Sequence, residues 1–180
     1  MTTRTVVVVD GDGVGPEVIS ATLAVLEKVG APLELVRGEM GLECHRRTGE
    51  YLPQETLDLL DDADACLFGA ITSPTDDPHY RSPVLALRRR MGLFVNLRPV
   101  KRLAPDLGLV DLDLVIFREN TEGMYTGVET FDRDSVILER RVSESVCRRL
   151  VRFANDLSMK EGRRRLTCVP MSRVLTARLS

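Results

Sequence analysis

"TVVVVDGDGVGPEVISATLAVLEKVG", residues 5–30, predicts a buried strand, a glycine-rich turn and a helix in succession. The run of valines is typical of a strand that is covered on both faces, as in a parallel sheet. After Pro16, apolar residues recur at helical spacing, and the pattern stops at Gly30. Because a strand that leads through a turn into a helix is the repeating unit of α/β proteins, this segment predicts an α/β fold with a partly parallel sheet and flanking helices.

The alternation of strand and helix patterns continues along the chain. Further strands are predicted at residues 33–40, 65–71, 93–100, 112–119 and 165–170. Further helices are predicted at residues 53–64, 84–92 and 143–160. Ser143 is a candidate N-cap of the last helix. "SVILERRVS", residues 135–143, has the pattern of an exposed or intersubunit strand.

The composition is that of a globular protein and excludes several functional classes. Of the 180 residues, 43% are hydrophobic and 29% are charged, and the formal net charge is only -2, so no nucleic-acid surface is expected. No apolar run approaches the ~20 residues that a membrane-spanning helix requires. The four cysteines form no CxxC pair, which argues against a zinc or redox motif. We therefore expect a cytoplasmic protein that binds neither nucleic acid nor a membrane.

The glycine-rich turn, "DGDGVGPEV", has two interpretations. Its glycines stand between a strand and a helix, where the backbone can approach a phosphate group and the helix N-terminus favours an anion. It is not the dinucleotide fingerprint GxGxxG, because Pro16 stands where the third glycine would fall. Gly13 and Gly15 are therefore candidate cofactor-binding residues, and the alternative is a tight turn without a ligand.

A second group of candidates consists of arginines at or near the ends of predicted elements: Arg88, Arg98 and Arg118. Planar guanidinium groups match carboxylates two hydrogen bonds at a time, so arginines that converge from several segments would bind a small anion. Arg89 and Arg90 are interpreted instead as solvated surface charges. Tyr125, between two nearby glycines, is either a proton donor or a packed phenol.

Four ordered motifs resemble the N-terminal half of the β-decarboxylating dehydrogenases, the isocitrate, isopropylmalate and homoisocitrate dehydrogenases. They are "GDGVGPEV", "GAITSPT", "LRRRMGLFVNLRPV" and "FRENTEGMYTGVE". The residues of "TSPT" and "LRRR" most resemble those of the homoisocitrate branch. The resemblance implies a truncated isopropylmalate-dehydrogenase-like fold. Residues 1–100 would form the first half of the large α/β domain, and residues 101–180 a partial small or dimerisation domain.

The resemblance also implies roles for particular residues. Family members oxidise a 2-hydroxy di- or tricarboxylate with NAD or NADP and decarboxylate the product with Mg or Mn. By motif position, Arg88, Arg98 and Arg118 match the arginines that bind the substrate carboxylates, and Tyr125 matches the tyrosine that protonates the enol. Thr72 and Ser73 lie in the loop that contacts the substrate, and Thr72 also faces the cofactor's nicotinamide side.

The chain departs from the family pattern in two respects. "VPMSRVL", residues 169–175, places Met171 where the family has its catalytic lysine and Arg173 where it has an asparagine. Family members are also roughly twice as long, and the metal-binding aspartates and the main adenosine-binding loop belong to the half that has no counterpart here. Asp61, Asp62 and Asp64 come close to a metal-ligand spacing but are interpreted as solvated. We expect that metal-dependent oxidative decarboxylation is lost.

Three functional hypotheses follow. The first is a repurposed protein, either a binding protein or a non-redox enzyme, that retains a pocket for a 2-hydroxy or 2-keto polycarboxylate. The second is one half of a split NAD-dependent decarboxylating dehydrogenase, and the third is a structural oligomerisation module. Because strand edges and apolar helix faces would be left uncovered, we expect a homo-oligomer, a dimer or larger, or an altered packing of the second lobe. A complementary partner chain that supplies the other half is the remaining alternative.

Overall fold

The structure is a computed structural model that describes residues 2–77, 80–104, 106–107 and 110–169. The departures from the family pattern at Met171 and Arg173 lie outside these residues. The chain divides into two compact units, one that ends at Leu87 and one that begins at Arg88. This division precedes the boundary predicted at residue 100, because the strand that contains residues 95–101 pairs with a strand of the second unit.

The first unit is built on a parallel sheet, as the valine run predicts. Its elements are β1 (Arg4–Gly11), α1 (Gly15–Val29), β2 (Leu33–Gly38), α2 (Leu42–Thr48), α3 (Gln54–Asp62) and β3 (Ala65–Ala70). The strand order is β2–β1–β3, and β1 pairs in parallel with both neighbours. Val7, Val8 and Val9 are completely buried and Val6 is 8% exposed, so the central strand forms the core of this unit.

The glycine-rich turn after β1 is explained by close packing. A Cβ atom on Gly11, whose φ is +73°, would lie 1.9 Å from the carbonyl oxygen of Ala70, and one on Gly15 would lie 2.1 Å from that of Asp10. Neither distance is compatible with a side chain. Two glycines of the turn are therefore required because the backbones of β1, α1 and β3 touch.

Helix α2 has no counterpart among the predicted elements, and its position depends on Asp12. The Asp12 carboxylate, 3% exposed, accepts hydrogen bonds of 2.9 Å from the backbone N–H groups of Leu42 and Glu43 at the start of α2, and from that of Thr72 after β3. Gly41 allows this approach, because a Cβ there would lie 2.4 Å from Asp12 Oδ2. One buried carboxylate thus joins three segments of the first unit.

The second unit contains antiparallel pairs of strands. The division between the units falls within α4 (Pro83–Arg90), and the elements that follow are β4 (Val95–Lys101), β5 (Asp113–Glu119), β6 (Glu129–Asp132), β7 (Ser135–Leu138) and α5 (Glu144–Lys160). Strand β4 pairs with β5, and β6 pairs with β7. All eight residues of β6 and β7 are exposed. The strand predicted at residues 135–143 is found only over Ser135–Leu138.

Two predictions for the end of the chain differ from the structure. The segment predicted as a last strand, residues 165–170, has no strand in its described part, residues 165–169, and Cys168 in this segment is exposed. Ser143 occupies the N-cap position of α5 but forms no side-chain capping bond to the helix backbone.

Within the described residues, no helix is both long and apolar enough to cross a membrane.

Candidate functional site

The arginine cluster is built on one face of the ribbon that β4 and β5 form. Asn96 of β4 lies opposite Arg118 of β5, and Arg98 lies opposite Ile116. Side chains two residues apart on a strand, and those of directly opposed residues, share a face, so Asn96, Arg98 and Arg118 point to the same side. The Nε atom of Arg98 donates a hydrogen bond of 2.7 Å to Asn96 Oδ1.

Arg88, near the end of α4, joins these two arginines. Burial lowers the pKa of the Arg88 guanidinium, and the positive charges of Arg118 and Arg98 lower it further. Electrostatic repulsion of this kind requires the three groups to be close together. The structure therefore brings together the three arginines that the sequence singled out, from one helix and two strands.

The cluster has no internal counter-charge among the described residues. None of the three guanidinium groups forms an ion pair with a carboxylate there, although nine arginine–carboxylate pairs occur elsewhere in the described chain. Like charges that converge without neutralisation are unfavourable unless an anion binds between them. The arrangement is suited to a ligand with more than one carboxylate.

Tyr125 lies next to the cluster. The guanidinium carbon of Arg118 is 5.0 Å from the centre of the Tyr125 ring, within the range of a cation–π interaction. The phenol is half-buried. This contact places the candidate proton donor beside Arg118, one of the candidate carboxylate-binding arginines.

The acidic and amide groups of the "FRENTEG" segment have structural tasks. The Glu119 carboxylate accepts hydrogen bonds from the backbone N–H and the hydroxyl of Thr121 and from the backbone N–H of Glu122. Burial opposes its ionisation, but these bonds outweigh burial and hold the Glu119 pKa below its ordinary value. Asn120 is 5% exposed and donates a hydrogen bond to the carbonyl oxygen of Leu93.

Glu122 secures the start of α5. Its carboxylate accepts 2.8 Å hydrogen bonds from both the backbone N–H and the hydroxyl of Ser143. This bond explains why the Ser143 hydroxyl does not cap the helix itself. Glu119, Asn120 and Glu122 all stabilise the local fold. Arg118 of this segment and Tyr125, two residues after it, remain available to a ligand.

Sequence analysis missed two arginines that support this region. Arg149 of α5 donates a hydrogen bond of 2.9 Å to the Thr121 hydroxyl, and its guanidinium lies 4.5 Å from the centre of the Phe94 ring. Arg89, interpreted above as a solvated charge, donates hydrogen bonds to the carbonyl oxygens of Tyr125 and Thr126. Neither contact has a sequence signal, because each depends on long-range packing.

The remaining candidates, Gly13, Gly15, Thr72 and Ser73, belong to the first unit. Thr72 is exposed, and a Cβ on Gly13, whose φ is +57°, would lie 3.7 Å from its Oγ1 atom. Gly15 is buried, and its backbone N–H already donates to the carbonyl oxygen of Asp12. This packing explains Gly15 without a ligand, whereas Gly13 and Thr72 form a small exposed pair.

Aromatic residues hold the loop that carries Ser73. The Ser73 hydroxyl is 3.3 Å from that of Tyr80, and the Tyr80 ring packs edge-on against Tyr51. Tyr51 stacks on His45 and donates a 2.8 Å hydrogen bond to Asp77. Burial and the Asp77 carboxylate raise the pKa of Tyr51 to about 12, so this phenol stays protonated and keeps its role as a donor.

Metal-ligating side chains do not cluster in the described part of the chain: no group of three His, Cys, Asp or Glu residues there could hold a metal ion. Asp64 is instead paired with Arg4 at 2.6 Å and accepts a hydrogen bond from the backbone of Thr5. These bonds to Arg4 and Thr5 lower the Asp64 pKa. The described residues therefore do not fit the Mg or Mn site that the resemblance implies.

Comparison with known proteins gives consistent matches. A family model described as isocitrate/isopropylmalate dehydrogenase matches residues 5–179. Homoisocitrate dehydrogenase of Methanocaldococcus jannaschii is 36% identical over 183 aligned positions, which cover 94% of this chain and 52% of the relative. Isocitrate/homoisocitrate dehydrogenase of Thermus thermophilus is 42% identical over 160 positions, which cover 88% of this chain and 47% of the relative.

A solved structure agrees with the sequence matches. The crystal structure of isocitrate dehydrogenase from Methylococcus capsulatus superposes with a TM-score of 0.88 at 29% identity, over 96% of this chain and 52% of that one. The chain spans about half the length of the curated relatives it matches.

Proposed function

Because the chain belongs to the isocitrate/isopropylmalate dehydrogenase family, we propose that its second unit binds a 2-hydroxy or 2-keto di- or tricarboxylate. Arg88, Arg98 and Arg118 would hold the carboxylates. The observation that carries the proposal is the convergence of these guanidinium groups without an ion-pair partner among the described residues. Burial lowers the pKa of Arg88, and the charges of Arg118 and Arg98 lower it further. An anion with two or three carboxylates neutralises the cluster and can form bidentate hydrogen bonds.

We further propose that the chain does not carry out metal-dependent oxidative decarboxylation by itself. Met171 stands where the resemblance places a catalytic lysine, and a thioether cannot accept a proton. The described residues also supply no metal-ligand cluster. Tyr125 could still donate a proton to a bound acid, which would suit a non-redox reaction or a binding protein. Thr72, Ser73, Gly13 and Gly15 remain predictions.

A thermal-shift panel on the purified chain tests the binding proposal. Citrate, isocitrate, isopropylmalate and 2-oxoglutarate are added singly and together with NAD, NADP or Mg. A ligand that binds only the folded state stabilises it by RT ln(1 + [L]/Kd), about 2.7 kcal/mol at 100 Kd. We expect stabilisation by at least one of the acids without a nucleotide.

Arg98→Ala should remove most of that stabilisation, since a lost charge-assisted hydrogen bond costs about 1.5–3 kcal/mol. Arg152→Ala is the matched control, because Arg152 is an exposed arginine of α5 and the variant loses the same charge. An unchanged response of Arg98→Ala to every acid would contradict the assignment of the pocket.

Membership of the family favours a second candidate, one half of a split NAD-dependent enzyme. In the same panel, stabilisation by NAD or NADP would favour this candidate over a repurposed acid-binding protein. NAD reduction by the isolated chain with isocitrate, homoisocitrate or isopropylmalate in the presence of Mg or Mn would contradict the proposed loss of oxidative decarboxylation.

We also propose that a second copy of the chain covers the β6–β7 hairpin. Phe131, Val136 and Leu138 share one face of this hairpin and are 53–76% exposed. An isolated two-stranded hairpin is marginally stable in water, and large exposed apolar patches mark interaction sites. A homo-oligomer would bury these side chains and stabilise the strands.

A further inference from the structure

We propose that Arg89 is a positioning residue for Tyr125, so that anion binding at the arginine cluster and the placement of the phenol are coupled through α4. The proposal rests on the proposed function, because the anion is the one that Arg88, Arg98 and Arg118 would bind. Arg89 itself does not contact the anion. It acts through the backbone of the segment that carries Tyr125.

The contact that carries this inference is a guanidinium clamp on two consecutive peptide groups. Nη2 of Arg89 donates to the carbonyl oxygens of both Tyr125 and Thr126, the latter at 2.9 Å. These two bonds from one nitrogen restrain two successive peptide planes, the one between Tyr125 and Thr126 and the one between Thr126 and Gly127. Gly127 follows with a φ of +66°, and a Cβ there would lie 3.8 Å from Arg89 Nη2.

Other contacts hold the same segment from different directions. The Thr126 hydroxyl donates a 2.7 Å hydrogen bond to the carbonyl oxygen of Glu139, and the Tyr125 backbone N–H donates to that of Glu122. The Arg118 guanidinium lies over the Tyr125 ring. With the Arg89 clamp, both the backbone and the ring of Tyr125 are restrained, and two of the restraints are arginines.

The coupling follows from the position of Arg89 in the chain. Arg88, a ligand of the proposed anion, and Arg89, the clamp, are adjacent residues at the end of α4. An anion that binds Arg88 also restrains the last turn of α4, and with it the backbone of Arg89. Tyr125 should then respond to the anion through Arg89 as well as through Arg118.

Fluorine NMR of the fluorotyrosine-labelled chain tests this inference. The chain has three tyrosines, Tyr51, Tyr80 and Tyr125, so the spectrum contains few signals, and Tyr125→Phe identifies the relevant one. Citrate and isocitrate are the probes. We expect the Tyr125 signal to shift when the probe binds, and Arg89→Ala to reduce that shift by at least half while more than half of the thermal stabilisation by the probe remains.

Two further variants separate positioning from general destabilisation. Arg89→Lys keeps the charge and a donor for the carbonyl oxygens, so it should restore part of the shift. Arg152→Ala removes an exposed arginine elsewhere and should leave the shift unchanged. The signals of Tyr51 and Tyr80 belong to the first unit and serve as internal controls.

A probe-induced shift of full size in Arg89→Ala would overturn the inference. If neither acid stabilises the parent chain, the proposed function fails for these probes, but the positioning of Tyr125 is still tested without a ligand. In that case Arg89→Ala must move the Tyr125 signal and leave the other two in place. A Tyr125 signal that does not move would overturn the role of Arg89 independently of any anion.

Discussion

The two units of the chain differ in how they use apolar residues. In the first unit, the valines of β1 are at most 8% exposed, between two parallel neighbours. In the second unit, apolar residues of the strand pairs, such as Leu97, Ile116 and Leu138, are 43–71% exposed. The first unit therefore has a core of its own, whereas much of the apolar surface of the second is left for another surface to cover.

This difference corresponds to a division of tasks. In the first unit, the buried Asp12 carboxylate accepts its hydrogen bonds from backbone N–H groups and stabilises the fold. The second unit holds the unneutralised arginines and the tyrosine, on a two-stranded ribbon and the end of a short helix. A site built on such elements depends on local clamps, and Arg89, Arg149 and Glu122 provide them.

Removal of the Asp12 carboxylate should have the largest effect. Asp12→Ala leaves three backbone N–H groups without an acceptor, and an unsatisfied buried donor costs about 1–3 kcal/mol. We expect a loss of about 3 kcal/mol or more in the free energy of unfolding, measured by urea denaturation followed by circular dichroism. Asp64→Ala is the control, because its carboxylate is exposed and paired at the surface; an equal loss in both variants would contradict the special role of Asp12.

A charge on the exposed β6–β7 hairpin of the second unit should have an effect of intermediate size. Phe131→Glu places a charge on the apolar face that the proposed second copy covers, and each large apolar side chain buried there contributes about 1.5–3 kcal/mol. Light scattering at micromolar concentration should show a dimer or larger species for the parent chain and a shift toward monomer for the variant. Thr130→Glu places the same charge on the opposite face of β6 and is the matched control. A monomeric parent chain would refute the proposal.

The fold was predictable from sequence where local pattern and burial coincide. The valine run, the helical spacing after Pro16 and the stop at Gly30 give β1 and α1 directly, because each element has one dominant periodicity. Helix α2 was missed, since its seven residues carry no helical pattern and its N-terminus is capped by Asp12, thirty residues earlier. Such a cap is a tertiary contact and has no local signal.

The candidate site was predictable only for residues that carry a motif. Arg88, Arg98, Arg118 and Tyr125 were selected by motif position, and the structure brings them together. Arg89 was assigned to solvent because it is one of three consecutive arginines on a helix, and only the fold shows which of them meets the Tyr125 backbone. Motifs therefore found the groups that form the cluster, but not those that hold them in place.

The smallest effect concerns acid sensitivity of the second unit. Burial raises the pKa of Glu119, but hydrogen bonds from Thr121 and Glu122 prevail and hold it below its ordinary value of 4.5. A carboxylate with a lowered folded-state pKa stabilises the fold above its unfolded-state pKa, and this contribution is lost as pH falls through the folded-state value. Glu119→Gln should therefore lower the unfolding free energy near neutral pH, and the difference from the parent chain should shrink below pH 4.5. Urea denaturation near neutral pH and again below pH 4.5 measures this difference, with Asp156→Asn as a control that removes an exposed carboxylate of α5. If the variant and the parent chain differ equally in unfolding free energy at both pH values, the ionised form of Glu119 does not stabilise the turn between Arg118 and Tyr125.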